Sequence, residues 1–183
     1  MSVARALRLS LLLLPLAASA CAADEADMAQ VTKDFYTAYM SAPHDGIPGD
    51  AGRAQLAPYI TTALDQLLIA GDTAEARYAK ETNNQSPPII EGDLFTSLFE
   101  GATAFKVGAC KADGDHGRCA VFLTYDDHSA KPVNWTDTAM LARTKDGWRI
   151  DDIAYGGNWS FGNKGTLTGT LKFALKVAAG QPQ

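Results

Sequence analysis

Two carboxylates sit where they could act as general bases. Asp137 alternates with Trp135 in a run of strand character, and Asp152 alternates with Trp148 and Ile150 in the next such run. Side chains two apart on a strand share a face, so either carboxylate is placed beside an indole. If that face lines a pocket, desolvation raises the carboxyl pKa and makes it a usable base for an isomerase or hydratase. Asp151 shares the opposite face with Ile153 and Tyr155, and alternation alone does not say which face is inside. Trp135, Trp148 and Tyr155 are the accompanying candidates for holding a ligand, although aromatic residues at such positions also build ordinary cores.

Other chemistry finds less support. Asp113-Gly-Asp-His-Gly117 opens like a calcium loop, but no bidentate Glu follows at the required spacing, and a polar hairpin tip explains it. His128 follows Asp126-Asp127 in a surface turn, and His44-Asp45 with Asp50 lies in a Gly/Pro loop. There is no Gly-x-Ser-x-Gly elbow, phosphate-binding glycine motif or His-Glu-x-x-His. No metal site and no cofactor is expected.

The three cysteines divide as one and two. Cys110 and Cys119 flank Lys-Ala-Asp-Gly-Asp-His-Gly-Arg, and folding that segment about Gly114-Asp115 sets them opposite each other, close enough to bridge. Cys21 follows an export signal over residues 1–20. Arg5 and Arg8 are its positive end, Leu9–Leu16 its apolar stretch, and Ala18-Ser19-Ala20 its small-residue cleavage site. The apolar stretch is too short to span a bilayer. Two kinds of processing stay open: release after an A-x-A site, or a lipobox reading in which Cys21 becomes the lipidated N-terminus. Ala18 stands where a lipobox usually has leucine. Lipid on Cys21 would leave an even pair for a disulfide, and Ala22 in place of aspartate points to the outer membrane of a bacterial envelope rather than the inner.

The full chain carries a net charge of −5, and loss of Arg5 and Arg8 makes the mature protein still more acidic. Without a basic run or basic–aromatic stripe, nucleic acid is not an expected partner, and contact with a membrane is expected only through Cys21. Three Asn-x-Ser/Thr triplets, at Asn84, Asn134 and Asn158, read as chance in a chain with such a signal.

The elements that must position these residues follow from periodicity. The spacing predicts a helix over 24–41, with Met28, Val31, Phe35 and Ala38-Tyr39 on one face. A loop over 42–52 and a short turn at Gln55-Leu56 lead to a helix over 60–81, started by Thr62 and Asp65 as a capping pair. Strands are expected over 103–110, 118–125, 133–143 and 148–155, with Lys145-Asp146-Gly147 as a hairpin turn, and a short helix over 167–177. The fold class is therefore α+β, with two N-terminal helices packed on a curved antiparallel sheet of about four strands and a short C-terminal helix. In domain terms, a tether over 21–27 precedes one domain over 28–178, with a disordered tail over 179–183.

Three phrases carry a resemblance: Phe35-Tyr36-x-x-Tyr39, Glu91-Gly-Asp-Leu-Phe-Thr-Ser97, and Gly147-Trp-Arg-Ile-Asp-Asp-Ile153. Together, over about residues 29–175, they resemble an uncharacterised family of bacterial envelope proteins, many of them lipoproteins, with a cystatin-like or nuclear-transport-factor-two-like cone. The resemblance implies that fold and an envelope setting, with no catalytic residues to carry over. The leading expectation is a non-catalytic periplasmic lipoprotein that binds an envelope protein or a small apolar ligand, with an apolar patch around Trp159 and Phe161. An isomerase or hydratase using Asp137 or Asp152 is the alternative, and an immunity or inhibitor protein against an envelope toxin is a third.

Overall fold

The computed structural model describes residues 16–41 and 45–180, with side chains from Ala22 onward. Most of the export signal, the side chain of Cys21, His44 and the last three residues lie outside the described residues. The elements run α1 (Leu16–Met40), α2 (Asp50–Leu56), a 3-10 turn (Ala57–Tyr59), α3 (Thr62–Glu81), β1 (Ala104–Asp113), β2 (His116–Tyr125), β3 (Val133–Thr144), β4 (Gly147–Ala154) and α4 (Leu167–Ala178). The fold is α+β, as expected from the order of periodicities. A 4-stranded antiparallel sheet in the order β1-β2-β3-β4 is covered on one face by the N-terminal helices.

Helix α1 packs across β1, β2 and β4. Phe35, Tyr36 and Tyr39, spaced to lie on one side of it, meet Phe95 and Phe105 with ring centroids 5.5–5.8 Å apart. Among the described residues the helix reaches back to Leu16, ahead of the predicted start, because Ala17-Ala-Ser-Ala-Cys-Ala-Ala23 contains no helix breaker. Residues 21–27, expected as a tether, thus form part of α1, and Asp24 accepts from Arg143 Nη2 at 2.5 Å and from Trp148 Nε1 at 3.4 Å.

Within the 42–52 loop, Asp50 opens the short helix α2, where Arg53 pairs with Asp50 at 2.6 Å and with Asp65 at 3.3 Å, while Leu56 enters the core. Helix α3 is capped one residue earlier than expected: the Thr61 hydroxyl accepts from Leu64 N, and Asp65 is left to Arg53.

Cys110 and Cys119 are cross-strand partners joined by a disulfide, with Cα atoms 4.0 Å apart. Two irregularities bend the sheet, one in β1 between Val107 and Cys110 and one in the β3–β4 pairing at Met140/Leu141. The outer edge of β4 is partly covered, since Thr61 N donates to Ile150 O and Tyr155 N to Gly165 O.

Candidate functional site

The segment 90–98 has no regular secondary structure, yet apart from Glu91 it is buried throughout. Backbone polar groups inside a protein must find partners, and here one local side chain and several remote ones supply them. Asp93 Oδ1 accepts from Phe95 N at 2.6 Å and Thr96 N at 2.8 Å. Asn163 Nδ2 donates to the carbonyls of Asp93 and Thr96, and Tyr155 Oη donates to Leu94 O at 2.6 Å. Asp137 accepts from Ser97 N at 2.8 Å and from the Ser97 hydroxyl.

Asp137 is therefore a hub. Besides Ser97 it accepts from Gly156 N at 2.8 Å and from Trp135 Nε1 at 3.1 Å, and it is fully buried. Alternation puts it beside Trp135 and leaves the face open; in the structure that face is the inner one, and four donors occupy the carboxylate oxygens. Its chemistry is to bind segment 90–98 and the β4–α4 connection to the sheet.

Asp152 lies elsewhere. The irregularity at Met140/Leu141 breaks strict alternation in β4, so that Ile150 and Ile153 both point inward and Asp152 pairs with the exposed Met140. Expectation had put Asp152 on the Trp148/Ile150 face, and the extra residue of the bulge moves it off. It accepts from Thr168 N at 2.9 Å and the Thr168 hydroxyl at 2.8 Å, anchoring the first turn of α4. Trp148 is buried under Arg143, whose guanidinium lies 4.4 Å from the ring centroid. Of the three aromatic candidates, Trp135 and Tyr155 thus serve the hub region and Trp148 the start of α1.

The sequence did not single out Asp93 and Tyr39 for chemistry. The Tyr39 hydroxyl donates to Asp93 Oδ2, and Asp93 is 1 % exposed. Burial pushes the Asp93 carboxyl up to about 7, against the lowering pull of its hydrogen bonds from Tyr39, Thr96 and Phe95. Burial and the neighbouring Asp93 raise the Tyr39 phenol above its usual value. Tyr36 is raised by burial and by Asp137 and Asp93, and its buried hydroxyl has no hydrogen-bond partner among the described residues. The signal that could have found this group is Phe35-Tyr36-x-x-Tyr39, whose two hydroxyls one helical turn apart face Asp93.

Tyr39 also lines an apolar recess. It encloses about 450 Å3 between Tyr39, Leu56, Leu94 and Phe95 on the core side and the 45–52 segment on the other. Asp45 and Asp50 also border it, Asp45 Oδ1 accepting from Gly92 N at 3.2 Å and Asp50 pairing with Arg53.

No group of three or more His, Cys, Asp or Glu side chains is arranged to hold a metal ion among the described residues. Nor, among them, is any helix long and apolar enough to cross a membrane. Phe161 is 68 % exposed beside the half-buried Trp159, where an apolar patch was expected. Compared with known proteins, the chain matches no family model, no curated protein and no solved structure.

Proposed function

We propose that this is an exported, non-catalytic binding protein of the bacterial envelope, lipidated at Cys21, that takes a small apolar ligand in the recess beside Tyr39. The observation that carries this reading is the recess itself, about 450 Å3 and walled mainly by Ile47, Pro48, Leu56, Leu94 and Phe95. A cavity of that size and lining suits a small apolar molecule with one polar end. The carboxylates flagged for catalysis support a binding rather than a catalytic role: Asp137 accepts from four donors and Asp152 holds helix α4.

The test uses the full chain expressed with its signal in a bacterium. Mass spectrometry of the mature N-terminus should find a lipidated Cys21, and an unmodified Ala22 or Ala23 start would remove the anchor from the proposal. Native mass spectrometry should detect a co-purifying apolar molecule that is lost in Gly49→Trp, a substitution at a recess-lining site where a Cβ meets nothing within 4 Å. Equal ligand content in both proteins would sink the recess as the binding site.

A second reading, isomerase or hydratase chemistry, is favoured by one observation: Tyr39 lines the recess and its hydroxyl is bonded to a carboxyl held near neutrality. In that reading Tyr39 and Asp93, not Asp137 or Asp152, would move the proton. Turnover that disappears in Tyr39→Phe while ligand binding persists would establish it over the non-catalytic one.

A further inference from the structure

Two Asn-Trp-Thr/Ser triplets far apart in the chain, Asn134-Trp135-Thr136 and Asn158-Trp159-Ser160, come together at one end of the sheet. They line a shallow groove of about 430 Å3, with Gly156 and Gly157 between them. The two indoles meet edge to face, with centroids 5.4 Å apart and planes at 90°. Trp135 belongs to the core, its N–H donating to Asp137. Trp159 is half-buried, and its indole N–H has no partner among the described residues.

The groove is rigid by construction. A Cβ on Gly157 would stand 2.2 Å from the Trp159 ring and 2.6 Å from Ser97 Cβ, and one on Gly156 would stand 2.0 Å from Thr136 O. Only glycine allows the chain to press against β3 and fold the indole back over itself. Gly156 N is held by Asp137, Gly157 N by the Ser97 hydroxyl at 2.9 Å, and Ser97 O accepts from Asn163 N at 2.9 Å. A ligand meeting this loop pays little for ordering it.

The lining chemistry is specific in kind. No charged side chain is among the lining residues, and the nearby Lys164 Nζ is engaged with Gly157 O at 3.1 Å. Trp159 offers an apolar surface of negative quadrupole that attracts polarised C–H groups. Around it stand neutral hydrogen-bonding groups: the exposed amides of Asn134 and Asn158 and the exposed Thr136 hydroxyl. Asn134 Oδ1 accepts from the Thr124 hydroxyl at 2.7 Å, which fixes that amide, and Asn158 makes no hydrogen bond among the described residues. A flat ring of C–H groups edged by hydroxyls, with no net charge, is complementary to both features. We propose that the groove bounded by Asn134, Thr136, Asn158 and Trp159 binds a neutral oligosaccharide, the indole stacking on a sugar ring and the amides bonding its hydroxyls. This site is separate from the recess beside Tyr39 and does not rest on it.

The full chain labelled with 15N, carrying three tryptophans and hence three indole signals, is titrated with chitotriose, cellotriose and maltotriose in turn. The Trp159 indole N–H should shift and saturate at low millimolar concentration with at least one of them, while Trp148 stays unmoved. Asn158→Ala, which removes an exposed amide, should leave the melting temperature unchanged and weaken binding about tenfold. Trp159→Ala should abolish it. An unmoved Trp159 signal with all three sugars overturns the proposal, as does unaltered affinity in Asn158→Ala. A Trp159 shift produced by a proline-rich peptide and by none of the sugars would also overturn it, assigning the groove to a protein partner.

Discussion

Asp137 and Asp93 are both buried carboxylates under the same irregular segment, yet substitution should affect them differently. In Asp137→Asn one carboxylate oxygen becomes an NH2 group, so that donors now face a donor. If it replaces Oδ2, it faces Ser97 N and Trp135 Nε1, and if it replaces Oδ1, it faces Gly156 N, none of which can turn to accept. Each unmet buried donor costs about 1–3 kcal/mol, so urea unfolding should show a loss of about 2–5 kcal/mol. Asp93→Asn is milder. Its Oδ1 can keep Phe95 N and Thr96 N, and the Tyr39 hydroxyl can rotate to accept from the new amide. Its effect is on pH dependence. The folded-state pKa of about 7 lies above the ordinary carboxyl value, so between about pH 4 and pH 7 the folded protein holds a proton that the unfolded chain releases. Stability from this group is therefore complete below about pH 4 and lost as pH rises through about 7. Thermal melts of the native protein should fall in midpoint across that window, and Asp93→Asn should flatten this component. An unchanged slope in the variant would mean that another group titrates there.

At the scale of elements, what the sequence made legible were features with a local cause. The β1–β2 hairpin follows from two cysteines around a Gly-Asp tip, and β3–β4 from Lys145-Asp146-Gly147 between two alternating runs. What it hid depends on distant partners. Segment 90–98 has no periodicity because Asp137, Tyr155 and Asn163, all from later in the chain, satisfy its backbone. The irregularity that displaced Asp152 leaves no mark in the hydrophobic pattern, which looks regular through Trp148 and Ile150 up to it. That Asp137 shares a face with Trp135 was legible because β3 has no such break, but neither the inward direction of that face nor the saturation of Asp137 by donors was. The disulfide yields a prediction at this scale. It closes a loop with a sequence separation of 9 beside the β1 irregularity, and removing it in Cys110→Ser/Cys119→Ser should cost about 2–3 kcal/mol on chain-entropy grounds. Denaturant unfolding of the variant against the oxidised protein measures this, and an equal midpoint would show that the β1–β2 ladder and the α1 packing already restrict the unfolded chain as much.

At the scale of the whole molecule, the start of α1 is tied to the far end of the sheet. Asp24 meets Arg143, which also reaches Asp115 at the β1–β2 tip at 3.7 Å and lies over Trp148 at the start of β4. One guanidinium thus joins the first helix to both hairpin ends, and it holds the Asp24 carboxyl below its usual range. Cys21 precedes Asp24 by three residues, less than one helical turn, so a lipid on Cys21 would hold this end of the domain at the bilayer with little slack. Asp24→Asn removes the charge from the pairing with Arg143 while leaving the core aromatic cluster of α1 untouched. The pair is partly exposed, with side-chain exposures of 26 % and 37 %, so global stability should change little. The local consequence should be larger, because Asp24 is where Arg143 and Trp148 fasten this part of α1 to the sheet. Hydrogen exchange should accelerate severalfold at the amides following Asp24 in Asp24→Asn, with no change from Phe35 to Met40, where the aromatic cluster holds the helix. Equal acceleration along the whole of α1 would mean that the helix docks as one unit and that the Arg143 contact governs all of it.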